Sequence, residues 1–191
     1  MPKQPHNQHI RYLTPAASRL VIGLLVGAAI LAGAANARSD GPRPGKLPLD
    51  PRNRMQISPA DRCPVCAMRP IKYPRFAAAI RLKDGTSFYF CSAGCMLKAW
   101  LRPDVFLGGR PEILQLPVAL DYFTGRPLDA REAFWISGSD VIGPMGPALV
   151  PLQQSDHIAA FRRRHGSARV FRLEELNQDN WEALTGKPFG F

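Results

Sequence analysis

Hydrophobic and polar positions divide the chain into a long N-terminal preamble and a folded region that repeats one order of elements. Residues 1–19 are polar and mildly basic, and residues 20–35 are an unbroken run of apolar and small side chains between Arg19 and Asn36. That run is long for the apolar part of a signal sequence and short for a spanning helix, and Ala35-Asn36-Ala37 has the small-x-small form that signal peptidase reads. It predicts export with cleavage after Ala37, or, uncleaved, an anchor to the inner membrane within segment 1–37. The boundary carries no cysteine for a lipid and the preamble no twin arginine, so Sec export is the simpler route and the basic end stays cytoplasmic. Residues 38–59 are rich in Pro, Gly and Arg and have no hydrophobic period, which predicts a linker rather than part of a core.

The folded domain is expected over 60–191. Residues 76–82 and 86–90 read as strands around Asp84-Gly85, a two-residue hairpin signal. Ser92 then caps a helix through Met96, Leu97, Ala99, Trp100 and Leu101, stopped by Pro103, and 113–118 gives another strand after it. Residues 122–128 read as a turn. The second half has strands at 133–136 and 148–152 around a Gly- and Pro-rich connection, a helix over 157–165 capped by Ser155-Asp156 and stopped by Gly166, and a strand at 168–172. A terminal helix is expected over 173–184. The fold class is therefore α+β: two ββαβ units, about 60–118 and 119–191, made by duplication and sharing one compact domain behind the signal and linker.

Composition changes this picture little. With 191 residues and 46% hydrophobic content the chain is long enough for one ordinary domain, and it is not a disordered tail. The formal charge of +10 raises the question of nucleic acid, but three of the basic residues, Lys3, Arg11 and Arg19, fall in the targeting segment. The one dense run, Arg162-Arg163-Arg164-His165, lies on an expected helix without interleaved aromatics, so a solvated helix face accounts for it and no nucleic-acid partner is expected.

The chemistry is concentrated in sulfur. All four cysteines fall in Cys63-Pro64-Val65-Cys66-Ala67-Met68 and Cys91-Ser92-Ala93-Gly94-Cys95-Met96, and each piece ends in a methionine. Thiolate with thioether selects a soft ion such as Cu(I), whereas a structural zinc site uses thiolate and imidazole. Cys63 and Cys66 are spaced to face one point, and Cys66 and Met68 project to one side of an extended or turn backbone. Competing readings are a four-cysteine zinc site, a redox dithiol, and disulfides formed after export. The redox reading needs the motif to open a helix, and Pro70 and Pro74 stand against that. Cys91 and Cys95, four apart on one helix face, serve equally well as packing residues, a disulfide or ligands. Met96 reads as core, and His157 and His165 as surface histidines. Met145, in Gly143-Pro144-Met145-Gly146-Pro147, is either a buried loop methionine or a thioether that completes a Cu(I) site from an adaptable loop.

Together these motifs resemble the NosL family, the copper chaperones that serve nitrous oxide reductase. The resemblance rests on Cys63-x-x-Cys66-Ala67-Met68-x-Pro70 with Tyr73-Pro74, on Asp84-Gly85, on Phe90-Cys91-Ser92-x-Gly94-Cys95-Met96, and on Met145-Gly146 before Val150-Pro151. It implies a duplicated ββαβ fold, an exported and usually lipid-anchored protein, and Cu(I) held through the Cys-x-Met element, here Cys66 and Met68, with Met145 as the family's Met-Gly methionine. It further implies periplasmic hand-over of copper, through a membrane ABC-type assembly complex, to a client copper reductase. The chain departs from the family at two points. Ala67 stands where glycine is usual, which matters if the position needs a positive φ, and the lipid-accepting cysteine is absent. Two classes of function follow. One is a metallochaperone without turnover, with Cys66 and Met68 as ligands and Cys63 or Met145 completing the site. The other is a thiol-disulfide enzyme using Cys63 and Cys66. No Ser-His-Asp set, paired-carboxylate site or phosphate loop points to another enzyme.

Overall fold

The computed structural model describes residues 46–190. The expected signal or anchor lies outside the described residues. Strands β1 (Ala78–Leu82) and β2 (Ser87–Phe90) form the expected antiparallel hairpin, with Ala78 opposite Phe90 and Ile80 opposite Phe88. Its turn is held by Asp84, whose Oδ1 accepts from Thr86 N at 2.9 Å and Thr86 Oγ1 at 2.7 Å, while Gly85 takes φ 86, a value that suits a residue without Cβ. Helix α1 (Ala93–Leu101) follows at once, because Ser92 is extended and its Oγ accepts from Cys95 N at 3.2 Å. Such a cap contributes about 1 kcal/mol. Pro103 ends α1 and opens a single-turn α2 (Pro103–Phe106).

Strand β3 (Leu114–Leu120) returns beside β1, and β4 (Pro127–Asp129) adds an edge, giving a sheet in the order β2-β1-β3-β4. Residues expected as a turn up to 128 thus contribute a strand, since the turn itself is tighter: buried Asp121 accepts from Thr124 N and Thr124 Oγ1 at 2.8 Å each. In the second half β5 (Phe134–Ser137) is central, flanked by β8 (Val150–Leu152) and β9 (Arg169–Phe171), with α3 (His157–His165) between those two in sequence. Asp156 makes no side-chain cap to α3, contrary to the sequence expectation. The Gly- and Pro-rich connection holds a small hairpin of β6 (Ile142–Gly143) and β7 (Gly146–Pro147).

Two expectations are corrected. The stretch read as a linker packs from Leu47 onward: Leu49, Met55 and Ile57 cover Ala79, Tyr89, Leu116 and Val118 on the outer face of the first sheet. Tyr89 fastens it, donating to Leu47 O at 2.9 Å and accepting from Gln56 N at 3.2 Å. An extended strap needs only a few apolar residues to cover a sheet, so it leaves no period in the sequence. The continuous terminal helix is also absent. A 3-10 turn at Leu173–Glu175 precedes α4 (Trp181–Thr185), and between them Asn177 and Asn180 exchange side-chain to backbone bonds of 2.8 and 3.0 Å. Asparagine offers the backbone that turn as an alternative to helix.

The architecture is mixed α+β with antiparallel sheets, and a main core joins both sheets. Ile80, Phe88, Phe90, Met96 and Leu97 from the first half pack with Trp135, Phe171 and Trp181 from the second. Cys63, Cys91 and Cys95 belong to the same cluster, so the sulfur-bearing residues sit at the edge of the core and not on a free loop.

Candidate metal centre

The first pair of cysteines is set by a tight turn. Cys63 N donates to Met68 O and Ala67 N donates to Cys63 O, both at 2.8 Å, closing the loop on itself. Ala67 takes φ 60 to do so. The glycine usual at that position would do this without strain, and the condition posed by the sequence is met. Asp61 supports the entry to the turn from a buried position, its Oδ2 accepting from Ser58 N at 2.8 Å.

The second pair is brought in by the hairpin. Cys91 follows the last residue of β2, and Cys95 lies in the first turn of α1, where the Ser92 cap fixes its backbone. The four sulfurs all lie within 4.8 Å of one another. Cys66 is 3.3 Å from Cys91 and 3.9 Å from Cys95, and Cys91 is 3.8 Å from Cys95. All four are free thiols; Cys63, Cys91 and Cys95 are buried and Cys66 is half-buried. With metal–sulfur bonds near 2.3 Å, sulfurs around one ion sit about 3.8 Å apart in a tetrahedron and about 4.0 Å apart in a plane of three. The cluster is therefore already at ligand spacing for either arrangement. The sequence left packing, disulfide and ligation open for Cys91 and Cys95; the structure gathers both into the same group as Cys63 and Cys66.

Crowding of the thiols separates their acidities. Cys66 is pulled well below the usual thiol range, first by a hydrogen bond with Cys63, then by those with Cys91 and Cys95, because neighbouring S–H groups stabilise its thiolate. Cys91 and Cys95 are pushed up, chiefly by Cys63 and Cys66, since a further negative charge in the cluster is repelled. For Cys63 the bond with Cys66 pushes up while those with Cys91 and Cys95 pull down, and the net shift is downward. The shifts therefore favour a thiolate on Cys66 and disfavour one on Cys91 or Cys95.

Of the expected thioethers, Met68 is half-buried against the main core, and its carbonyl closes the Cys63 turn. Met145 sits between β6 and β7 and is 42% exposed. It lines a cleft of about 450 Å³ that also touches Val65 and Cys95, so the loop methionine and the sulfur cluster border one space. The hairpin is held from the C-terminal segment by Lys187, whose Nζ donates to Met145 O at 3.0 Å and also to Pro147 O. Nothing in the local sequence signals that clamp, because it joins residues about forty apart. Met96 is fully buried, as expected of a core residue. His165 stands apart from the cysteines, with Nδ1 2.8 Å from Asp140 Oδ1 and Nε2 2.9 Å from Tyr122 Oη, and His157 packs edge-on to Phe123.

The sequence model of the NosL family matches residues 54–181, which takes in the end of the strap with Met55 and Ile57, both cysteine pairs and the Met145 hairpin. The chain belongs to the NosL family. The copper-binding lipoprotein NosL of Stutzerimonas stutzeri is 30% identical over 128 residues, covering 62% of this chain and 63% of that protein. The match thus spans somewhat less than two thirds of the relative's length. The crystal structure of the copper chaperone NosL from Shewanella denitrificans superposes with a TM-score of 0.56 at 20% identity, over 68% of this chain and 98% of that one. At that identity it shows the shared α+β fold of NosL proteins.

Proposed function

We propose that this NosL protein is an exported Cu(I)-binding metallochaperone without catalytic turnover, which delivers copper for assembly of the copper centres of nitrous oxide reductase or a related enzyme. The observation that carries the reading is the gathering of four free thiols within 4.8 Å, three buried and one half-buried. Soft thiolates in an apolar setting favour Cu(I) among available ions. The names of the two relatives, a copper-binding lipoprotein and a copper chaperone, support copper as the cargo. Cys66 and Cys63 hold the ion from the turn, Met68 supplies the thioether beside them, and Met145 lies across the cleft as an adaptable donor. The matching strand orders, β2-β1-β3 and β8-β5-β9, each with its first strand central, support an origin by duplication of a ββαβ unit. The site acts in the periplasm, from a soluble or inner-membrane-anchored chain, and its acceptors are a membrane ABC-type assembly complex and the client reductase.

A second reading is a structural zinc module, favoured by four cysteine sulfurs gathered within 4.8 Å of one another. The thiol-disulfide enzyme is less well supported, because Cys66 is followed by a left-handed residue and a 3-10 turn at Pro70–Lys72, not by the helix such enzymes place after the motif. Native mass spectrometry of the reduced chain, offered copper and then zinc anaerobically, separates the two metal readings. One Cu(I) that passes to a partner faster than it dissociates into dilute chelator is the expected result. Zinc held in preference to copper, or copper transfer at the spontaneous release rate whatever the acceptor concentration, removes the chaperone.

A further inference from the structure

Cys66, the least buried of the four sulfurs, is followed within nine residues by three cations. Arg69, Lys72 and Arg75 are all exposed, and among the described residues none has a carboxylate within 4 Å. Ion pairs are few among the described residues, namely Arg54 with Asp50, Arg102 with Asp104, Arg131 with Asp129, and His165 with Asp140, so what distinguishes the three cations is their place beside Cys66 and not the want of a partner. Asp61, the acid that precedes the turn in sequence, is buried and directed to Ser58 N. Arg62, on the other side of Cys63, turns its guanidinium back onto the carbonyls of Pro59, Ala60 and Asp61. Between Arg69 and Lys72 the 3-10 turn presents Ile71, 40% exposed, and Arg75 lines the cleft that Met145 and Cys95 also border.

We propose that Arg69, Lys72 and Arg75 with Ile71 form a docking collar for a protein whose acidic rim surrounds its own soft metal ligand. The inference rests on the chaperone reading of the same site and adds the chemistry of the partner. An apolar centre ringed by one sign of charge is the usual anatomy of a transient interface, and complementary charge sets the encounter rate and the register more than the final affinity. The register matters here, because a partner ligand must arrive beside Cys66 and not elsewhere. An anionic bilayer offers the same charge, but it has no sulfur or imidazole with which to reach a half-buried thiolate. The other basic run, Arg162, Arg163 and Arg164 on α3, is equally exposed but belongs to the helix over the second sheet, where no candidate ligand lies, and it serves as the internal control.

The test uses the reduced full chain and two labelled synthetic peptides with one Met-x-x-Met pair in common, one flanked by Asp and Glu and the other by Lys. Fluorescence anisotropy without metal reads binding alone, so its outcome is independent of whether copper is the cargo. The acidic peptide is expected to bind and the basic one not, with binding weakening steeply as salt rises. R69Q/K72Q/R75Q should weaken acidic-peptide binding at low salt by about tenfold or more, whereas R162Q/R163Q/R164Q changes it less than about twofold. The charge-conserving R69K/K72R/R75K should retain binding, which separates lost charge from a misfolded turn. Equal losses in the two neutralised variants, or no loss in the collar variant, overturn the collar. So does a collar variant that loses binding to phosphatidylglycerol vesicles while its peptide binding is unchanged, because the surface then reads lipid. If copper, added afterwards, fails to move to the bound acidic peptide, the chaperone reading fails while the docking result stands.

Discussion

Ala67 gives the sharpest test of the turn that presents Cys63 and Cys66. Its φ of 60 is a left-handed value, and the residue is exposed, so replacing it with glycine removes strain without removing buried surface. Left-handed backbone costs an L-residue about 1–2 kcal/mol. Glycine returns about 0.4–1 kcal/mol of that through the greater freedom of the unfolded chain. Ala67→Gly should therefore stabilise the reduced, metal-free protein by roughly 0.5–1 kcal/mol, or about 2–4 °C per kcal/mol in Tm for a chain of this size. Ala67→Val, which adds a branch at Cβ, should lose about 1 kcal/mol or more. Urea unfolding with an unchanged m-value reads both. Because Cys63 N to Met68 O and Ala67 N to Cys63 O already close the turn, the gain should be the same with and without metal. A destabilising Ala67→Gly, the ordinary effect of glycine at negative φ, refutes the left-handed turn. A gain seen only with metal means that the ion, and not the chain, forms it.

The remaining predictions concern the ligands, their protons and the hairpin. A four-thiolate site is worth about 10–16 kcal/mol, so roughly 3 kcal/mol or about a hundredfold per sulfur, and Cys91→Ser and Cys95→Ser should each weaken metal binding about as much as Cys66→Ser in anaerobic chelator competition. A Cys91→Ser variant within about threefold of the parent returns that residue to packing. Met68→Leu should cost at least about tenfold for Cu(I) and nothing for zinc. Apparent affinity should rise with pH from mildly acidic to alkaline values, because the raised Cys91 and Cys95 thiols must lose their protons to bind, whereas the lowered Cys66 has lost its own. An affinity flat in pH would leave the ion to the methionines. In the metal-free chain the sign is mixed. The lowered Cys66 contributes stability that is complete above the ordinary thiol value and is lost as pH falls toward its folded one, and the raised pair contributes stability that is lost as pH climbs above that same ordinary value, so thiol-linked stability should peak near the ordinary thiol range in pH-dependent urea unfolding. Lys187→Met should speed amide exchange in residues 142–147 while leaving exchange in β1 and β2 unchanged; unaltered exchange there would show that the clamp does not hold the Met145 hairpin.

Much of the fold was legible because its signals are local. Asp84-Gly85 marks the hairpin with residues suited to one turn geometry, and Ser92 before an apolar helical face marks the start of α1. What escaped depends on distance in sequence. The strap at Leu49, Met55 and Ile57 has no period of its own and is recognisable only against the sheet it covers. Lys187 reaches the Met145 hairpin across about forty residues, and neither end announces the other. The site falls between these cases. Cys63 and Cys66 are brought together by spacing alone, and the same holds for Cys91 and Cys95, but that the two pairs meet is a property of the hairpin's length and register. Chain spacing therefore leaves the second pair divided between packing and ligation, and β2 resolves its position by ending one residue before Cys91.

Four sulfurs around one ion would look too closed for the delivery proposed above. The burial of the cluster answers this. Cys63, Cys91 and Cys95 are at most 4% exposed and are fixed by the turn, the strand end and the capped helix, so none of them can withdraw without disturbing the core. Cys66 alone is half-buried, which makes it the ligand that can move away with least disturbance of the core. In the proposed transfer an incoming sulfur or imidazole would approach the ion on that side while three buried ligands still held it, and Cys66 would depart as the new bond formed. The chain would then never release a bare ion, and the site would return to its metal-free spacing with little rearrangement, since the sulfurs already lie within 4.8 Å of one another. On this argument delivery follows from the unequal burial of the four ligands and not from their number.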